Sequence, residues 1–477
     1  MRLRDLRGDA AARRAARLAH RYRNAQVVRP DGRPGGAGLR RARPEERAAP
    51  HRARPAPRSS RREHRPERWA PAFGKRQCKI RSLEPCSEMW PPALGAMRRN
   101  RLEHPAGSSR GKETIVSVAA SRPLCAGTPL DGEVQALQFL RFAAALMVVV
   151  YHAGIAARAH GFLGPEHDVW LDLSVIGASG VHIFFVISGF IMVHATRHSS
   201  RDAAAAGRFL YRRFARIFPV YWLYCGLYVA FHAAFLKPHA LPAWEALGVL
   251  LLWPGSSALI IGPGWTLSYE LLFYLCFGAC LPLGRRLSLK VLTGLLLAAV
   301  VAGCLLERRG AALQVVTSTL LLEFVAGMWI AVLVTRAAPL PRLLAPAAIA
   351  AALVGFLASA VLGFPAIPTV LLWGVPSALL VLGMTLQERQ GRTPRAVLRL
   401  SPLGNGSYSL YLLHNLLLDI VFLALAAVGA GSGYGGLWTA LAVLASCLVA
   451  EYAYRFVEAP LLAGLTALRR RPAGATG

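Results

Sequence analysis

Acidic side chains are scarce in this chain: 25 Asp and Glu stand against 55 Lys and Arg, a formal net charge of +30 over 477 residues. Paired cysteines are missing. None of the eight stands in a Cys-x-x-Cys pair, so neither a zinc site nor a disulfide framework is supported, and no metal is expected. Cys78, Cys86 and Cys125 fall in a polar first quarter, while Cys225, Cys276, Cys280, Cys304 and Cys447 fall in apolar runs. No secretory signal peptide is visible at Met1, which leaves the first membrane helix to direct insertion.

The positive charge is unevenly spread. Residues 1–130 hold 31 of the 55 basic and 11 of the 25 acidic side chains, hence +20 of the net +30. The overall charge therefore describes the first quarter rather than a functional domain. That quarter is rich in Arg, Ala, Pro and Gly, as in Arg40-Arg41-Ala42-Arg43-Pro44, with little apolar periodicity. It buries too little surface to offset the entropy of folding, and we expect residues 1–130 to be disordered. Four readings fit: a cytoplasmic tail drawn to anionic lipid, a nucleic-acid-binding arm, a transit peptide, or a translation start placed too far upstream, with Met97 as the internal alternative. The misplaced start or an idle tail is favoured, and no nucleic-acid partner is expected.

From residue 136 onward, apolar runs of membrane-spanning length recur between charged or Gly/Pro punctuation. They predict an all-α polytopic membrane protein, with spans at 136–156, 172–195, 217–236, 265–283, 288–306, 313–335, 344–362, 366–386, 406–428 and 435–457. The domain then covers 131–462, and 463–477 forms a basic tail. One further apolar piece, 244–261, is interrupted by Trp253-Pro254-Gly255-Ser256-Ser257. If it does not cross, eighteen loop arginines and lysines, from Arg197 to Arg471, gather on one side against four on the other. A crossing would spoil that positive-inside bias, so the piece should be re-entrant or broken, with both chain ends cytoplasmic in a bacterial inner membrane.

The first span carries two ionisable residues, Arg141 and His152, each expensive at membrane depth. Eleven helical steps return His152 to within roughly 20° of Arg141's face and about 16 Å further along the axis. The pair therefore looks out of one stripe, as the wall of a reaction chamber would; a snorkelling Arg and a carbonyl-bonded His are the structural alternative. Arg213 and Arg216 lie one turn apart ahead of Pro219 and Tyr221-Trp222, where both guanidinium forks could grip phosphate or anchor the helix in the interface. In Gly264-Trp265 through Glu270, the carboxylate would sit about 9 Å inside the outer boundary if residue 264 marks that boundary. His152 lies at a similar level on that reading, so Glu270 would orient it as a dyad or form a structural ion pair with it. Ser188 and Gly189 are read as a close-packing pair, Glu323 as a structural polar group, and Glu458 with Arg455 as an intrahelical pair. His414 and Tyr411 are candidates to line the cavity.

Together these stretches resemble membrane acyltransferase family 3, and within it the exopolysaccharide-production (ExoZ-like) O-acetyltransferase branch. The matching motifs are the Arg141-to-His152 spacing, Ile183-Phe184-Phe185-Val186-Ile187-Ser188-Gly189-Phe190, the Arg213/Arg216 pair, Gly264-Trp265 through Glu270, and Ser407-Tyr408-Ser409-Leu410-Tyr411 before His414. They cover roughly 134–460. The resemblance implies that His152 is the essential histidine, Arg141 its companion, and Arg213 with Arg216 the site gripping acyl-CoA from the cytoplasm. Acetyl-CoA is the expected donor, as a substrate rather than a bound cofactor, and a polysaccharide or its lipid-linked precursor the acceptor. The family commonly has an acidic residue where His182 stands here. No second transferase module is expected after residue 460. Whether His152 accepts the acyl group or deprotonates the sugar hydroxyl stays open. A transporter or flippase is the competing class, against which no inverted repeat of the broken segment is found.

Overall fold

Fourteen α-helices and no strand are found among the described residues of a computed structural model, which are 132–164, 174–236, 241–306, 310–336, 340–362 and 367–470. The Arg-rich first quarter with Met97, Cys78, Cys86 and Cys125 lies outside them, as do Lys237, Arg308, Arg309 and residues 471–477. The helices are α1 Gln135–Ala159, α2 Gly180–Ala195, α3 Ala203–Phe235, α4 Ala243–Leu250, α5 Trp265–Cys280, α6 Arg285–Leu305 and α7 Ala311–Val316. They continue as α8 Leu321–Val334, α9 Leu344–Val361, α10 Val375–Arg389, α11 Arg395–Leu400, α12 Ser407–Ala427, α13 Gly435–Ala453 and α14 Ala459–Arg470. Ten helical stretches are long and apolar enough to cross a membrane, matching the ten predicted spans in order.

Three of those stretches outrun the hydropathy signal, Ala203–Phe235, Arg395–Ala427 and Ser432–Ala467. α3 starts at Ala203 rather than 217, because its arginines interrupt the apolar run yet favour helix, and Asp202 caps it by accepting from Ala205 N–H at 2.5 Å. α13 passes through a π-helical turn at Tyr454–Glu458 into α14, which carries part of the expected tail, 463–470, as helix.

α1 and α2 form the centre. Of the α2 span, 89% is buried, against 28% for α9, whose Leu353, Val354, Leu357 and Val361 are exposed as a lipid-facing side must be. α2 presses against α8 at two glycines. A Cβ on Gly189 would lie 2.1 Å from the Phe324 carbonyl oxygen, and one on Gly327 would lie 1.9 Å from that of Val186. Such contact is the means by which helices gain packing energy where no hydrophobic effect separates protein from lipid.

The broken segment does not cross. α4 ends at Leu250, and the chain then turns through 251–261, with Leu252 at φ 56° and Gly255 at φ 95°, before α5 begins. Irregular backbone at this depth needs partners for its carbonyls. Tyr221 donates to Val249 O at 3.0 Å, the Trp222 indole N–H to Leu250 O at 2.8 Å, and Ser268 to Leu252 O at 2.7 Å. Ser257 in turn donates to Ser268 at 2.9 Å. The opposite need, the open N–H groups at the start of α1, is met from α10. Glu388 accepts from the Gln135 and Ala136 amides at 2.9 and 2.6 Å.

Candidate active site

α12 runs beside α1 in the same direction and touches it at two polar points. Near one end, Arg141 is fully buried and donates to Gln138 Oε1 at 2.6 Å and to Ser407 Oγ, the first residue of α12, at 2.8 Å. Towards the other end, His414 Nε2 lies 3.2 Å from His152 Nδ1, with the ring centroids 4.9 Å apart. Arg141 and His152 are thus joined through one neighbouring helix.

Proton positions in this pair follow from its acceptors. His414 Nδ1 lies 2.7 Å from Tyr411 O and 3.2 Å from Leu410 O, and a carbonyl only accepts. The neutral ring therefore carries its hydrogen on Nδ1 and offers a lone pair at Nε2. His152 Nδ1 faces that lone pair and, at 2.9 Å, the Val148 carbonyl, so it too must bear the hydrogen. His152 Nε2 is left as the basic nitrogen. It has no hydrogen-bond partner among the described residues, and the side chain is only half-buried while His414 is fully buried.

The expected dyad of His152 with Glu270 is not formed. Glu270 is fully buried and accepts from Ser188 Oγ at 2.7 Å, whereas the polar partners of His152 are Val148 and His414. The reason is depth. α5 starts inside the bundle, because the 251–264 segment has already descended to meet it, so residue 264 does not mark a boundary. Tyr411 Oη on α12 reaches Thr266 Oγ1 at 3.3 Å and Pro263 O at 3.5 Å. α5 runs antiparallel to α3, with Gly264 against Tyr221 and Gly278 against Leu210, and α12 runs parallel to α3, with Ser409 against Tyr224 and Leu416 against Tyr228. From the Tyr411–Thr266 level, His414 is then about 4.5 Å along one direction and Glu270 about 6 Å along the other. Ser188, read as a packing residue, donates to that carboxylate.

Arg216 is 6% exposed and meets the fully buried Glu458 at 2.5 Å, Nη1 to Oε1, with its guanidinium carbon 5.6 Å from the Tyr408 ring centre. The pair is close but off the hydrogen-bond line, and Arg216 Nε and Nη2 have no acceptor among the described residues. Glu458 Oε2 accepts from Ser409 at 2.6 Å, and Ser409 accepts from Tyr224 at 2.7 Å. The predicted Glu458–Arg455 pair is replaced: the exposed Arg455 binds Glu451 at 2.7 Å, and the π-helical turn accompanies Glu458's inward placement against Arg216. Arg213 takes other neighbours, 5.4 Å from the Phe209 ring centre and 5.9 Å from that of Tyr274. The two arginines therefore bracket a stretch of α3 rather than meet at one point.

The sequence profile of the acyltransferase domain family 3 matches residues 134–455, two thirds of the chain and every group described above except Glu458. The chain belongs to this family. It is also 37% identical over 309 residues to the exopolysaccharide production protein ExoZ of Rhizobium meliloti (strain 1021), covering 63% of this chain and 94% of that protein. It is 32% identical over 163 residues to the acyltransferase MdmB of Streptomyces mycarofaciens, covering 32% of this chain and 39% of that one. No solved structure matches significantly.

This membrane acyltransferase also holds a buried pair that single-helix reasoning missed. His182 Nδ1 lies 2.5 Å from Glu323 Oε1, with the Trp373 ring 5.5 Å from the imidazole. Gly374 makes room for the carboxylate, since a Cβ there would be 2.5 Å from Oε1. Two intramembrane polar residues without an obvious local partner were the signal available in the sequence. The pair fastens α2 to α8 and has no contact with His152.

Proposed function

We propose that this acyltransferase moves an acyl group, expected to be acetyl, from acyl-CoA to a hydroxyl of a surface or exported polysaccharide or its lipid-linked precursor. The observation that carries the reading is the relay Tyr411 O, His414, His152, which leaves one unblocked basic nitrogen at the end of a buried chain of groups. Arg213 and Arg216 take the donor's diphosphate: Arg216 keeps two unfilled donor nitrogens, and guanidinium is the side chain suited to phosphate oxygens. Arg216 lies against Tyr408, six residues and about 9 Å before His414 on α12, so the donor's thioester arm would run along α12 from the arginines toward His152. The charge of the loops supports a cytoplasmic position for the arginines, with His152 toward the other face.

In the direct route, His152 Nε2 removes the proton of the acceptor hydroxyl as its oxygen bonds to the thioester carbonyl carbon. The carbon–sulfur bond then breaks, and the leaving thiolate takes the proton back from the imidazolium, giving the ester and free thiol. While the ring is charged, Val148 O and His414 Nε2 accept from its Nδ1–H. In the covalent route, Nε2 attacks the carbonyl carbon first and the carbon–sulfur bond breaks to release the thiolate; the acceptor oxygen then displaces the acyl group as the carbon–nitrogen bond breaks, and its proton passes to the thiolate, giving the same ester and thiol. Both routes need the same tautomer. His152→Ala, purified in lipid nanodiscs, should fold normally and lose about 10²- to 10⁴-fold of the transfer of label from radioactive acetyl-CoA to glycan. Normal transfer by that variant would remove the assignment.

A further inference from the structure

Beyond Arg213, at the end of the bundle that carries the basic loops, two more guanidinium groups face one small pocket. Arg201 and Arg285 line it together with Thr196, Ser288 and Phe277. Arg201 Nη2 donates to the Thr196 carbonyl at 2.8 Å, and neither arginine has a carboxylate partner among the described residues. The neighbouring Asp202 is committed elsewhere, capping α3 and lying 3.8 Å from Arg208. Burial and the Arg285 charge together pull Arg201 below the usual arginine value. An anchoring arginine at a membrane surface is free to turn away from its like. Here the Thr196 carbonyl holds Arg201, while Arg285, exposed at the start of α6, lines the same pocket, and an anion between them would turn repulsion into two charge-assisted contacts. The first turn of α6, which contributes Arg285 and Ser288, carries no acidic residue. The pocket also adjoins the arginines already described: Phe277 packs on Phe209 at 5.3 Å between centroids, and Arg213 lies over the same Phe209.

We propose that this pocket binds the phosphate monoester at the nucleotide end of the acyl-CoA donor, beyond the diphosphate held near Arg213 and Arg216. The inference rests on the reading of acyl-CoA as donor. Phosphate chemistry is shared with an anionic lipid headgroup, and the test separates the two sources.

The full chain is placed in phosphatidylcholine nanodiscs, with and without phosphatidylglycerol. KM is measured for acetyl-CoA and for 3′-dephospho-acetyl-CoA with the native chain, Arg201→Gln and Arg285→Gln. The native chain should show a KM about 10-fold higher for the dephosphorylated donor, the worth of one charge-assisted contact. Each variant should lose that discrimination, with the two KM values converging, and Arg285→Lys should keep part of it. A native chain that uses both donors equally overturns the proposal without any variant. So do variants that discriminate as the native chain does. Rates that follow phosphatidylglycerol through Arg201 and Arg285, with donor discrimination unchanged, assign the pocket to lipid and overturn it as well. A native chain with no transfer from acetyl-CoA at all is a separate result, which removes the donor reading and this site with it.

Discussion

At His414 the acceptors beside Nδ1 are two backbone carbonyls, and they dictate what Nε2 can do for His152. His414 is therefore a positioning residue, acting through the imidazole it faces rather than on substrate. His414→Phe keeps the volume and removes the acceptor. Val148 O still holds the His152 Nδ1–H, so the tautomer preference is weakened rather than lost. We expect kcat to fall about 10- to 100-fold, below the full range of acid–base catalysis, with the donor KM unchanged. His414→Gln, whose amide oxygen can accept, should recover part of the loss, as a residue that merely filled space would not. An unchanged kcat in His414→Phe would show that the relay is idle.

Among the helices, α2 and α8 are the pair whose contact tolerates least. Gly189 and Gly327 each face a backbone carbonyl of the other helix, which cannot swing aside as a side-chain end could. Gly189→Ala and Gly327→Ala should each destabilise by about 1 to 3 kcal/mol, read as a lower thermal midpoint in detergent. The same change at Gly226 of α3, where a Cβ meets nothing within 4 Å, removes a flexible residue from a helix and should stabilise by up to about 1 kcal/mol. Equal midpoints for all three variants would mean that α2 and α8 are not so closely seated. Ser188 and His182 stand on this same helix, the first donating to Glu270 and the second paired with Glu323, so its position affects both buried carboxylates at once.

For the molecule as a whole, the re-entrant segment decides which loops share a side. With the native cysteines replaced, Ser199→Cys and Arg392→Cys should react with an impermeant maleimide only after cells are opened, and Gly433→Cys in intact cells. Ser199→Cys and Arg392→Cys labelled from opposite sides would require 244–261 to cross after all. The same segment explains why the depth of Glu270 could not be read from hydropathy. Counting residues from Gly264 assumes that the helix begins at the edge of the bundle, and α5 begins inside it, with Gly264 packed on Ser257 and Tyr221.

Much of the fold was legible because hydropathy, helical period and loop charge act over one or two turns of chain. They identified ten spans, the unbroken face from Arg141 to His152, and a segment too interrupted to cross. The same signals singled out His152, Arg213, Arg216 and His414 as candidates, and the family resemblance gave His152, Arg213 and Arg216 their expected roles. Which buried polar groups meet is another matter, because it depends on how far each helix is displaced along its axis and how it is rotated. Pro and Gly turns, π-helical turns and glycine contacts between distant segments set those displacements. Hence Glu270 goes to Ser188, Glu458 to Arg216 and His182 to Glu323, while His152 finds His414. Identity and local period belong to the linear chain. Partnership inside a low-dielectric bundle belongs to the packed molecule, where each donor settles on whichever acceptor the neighbouring helices bring to its depth.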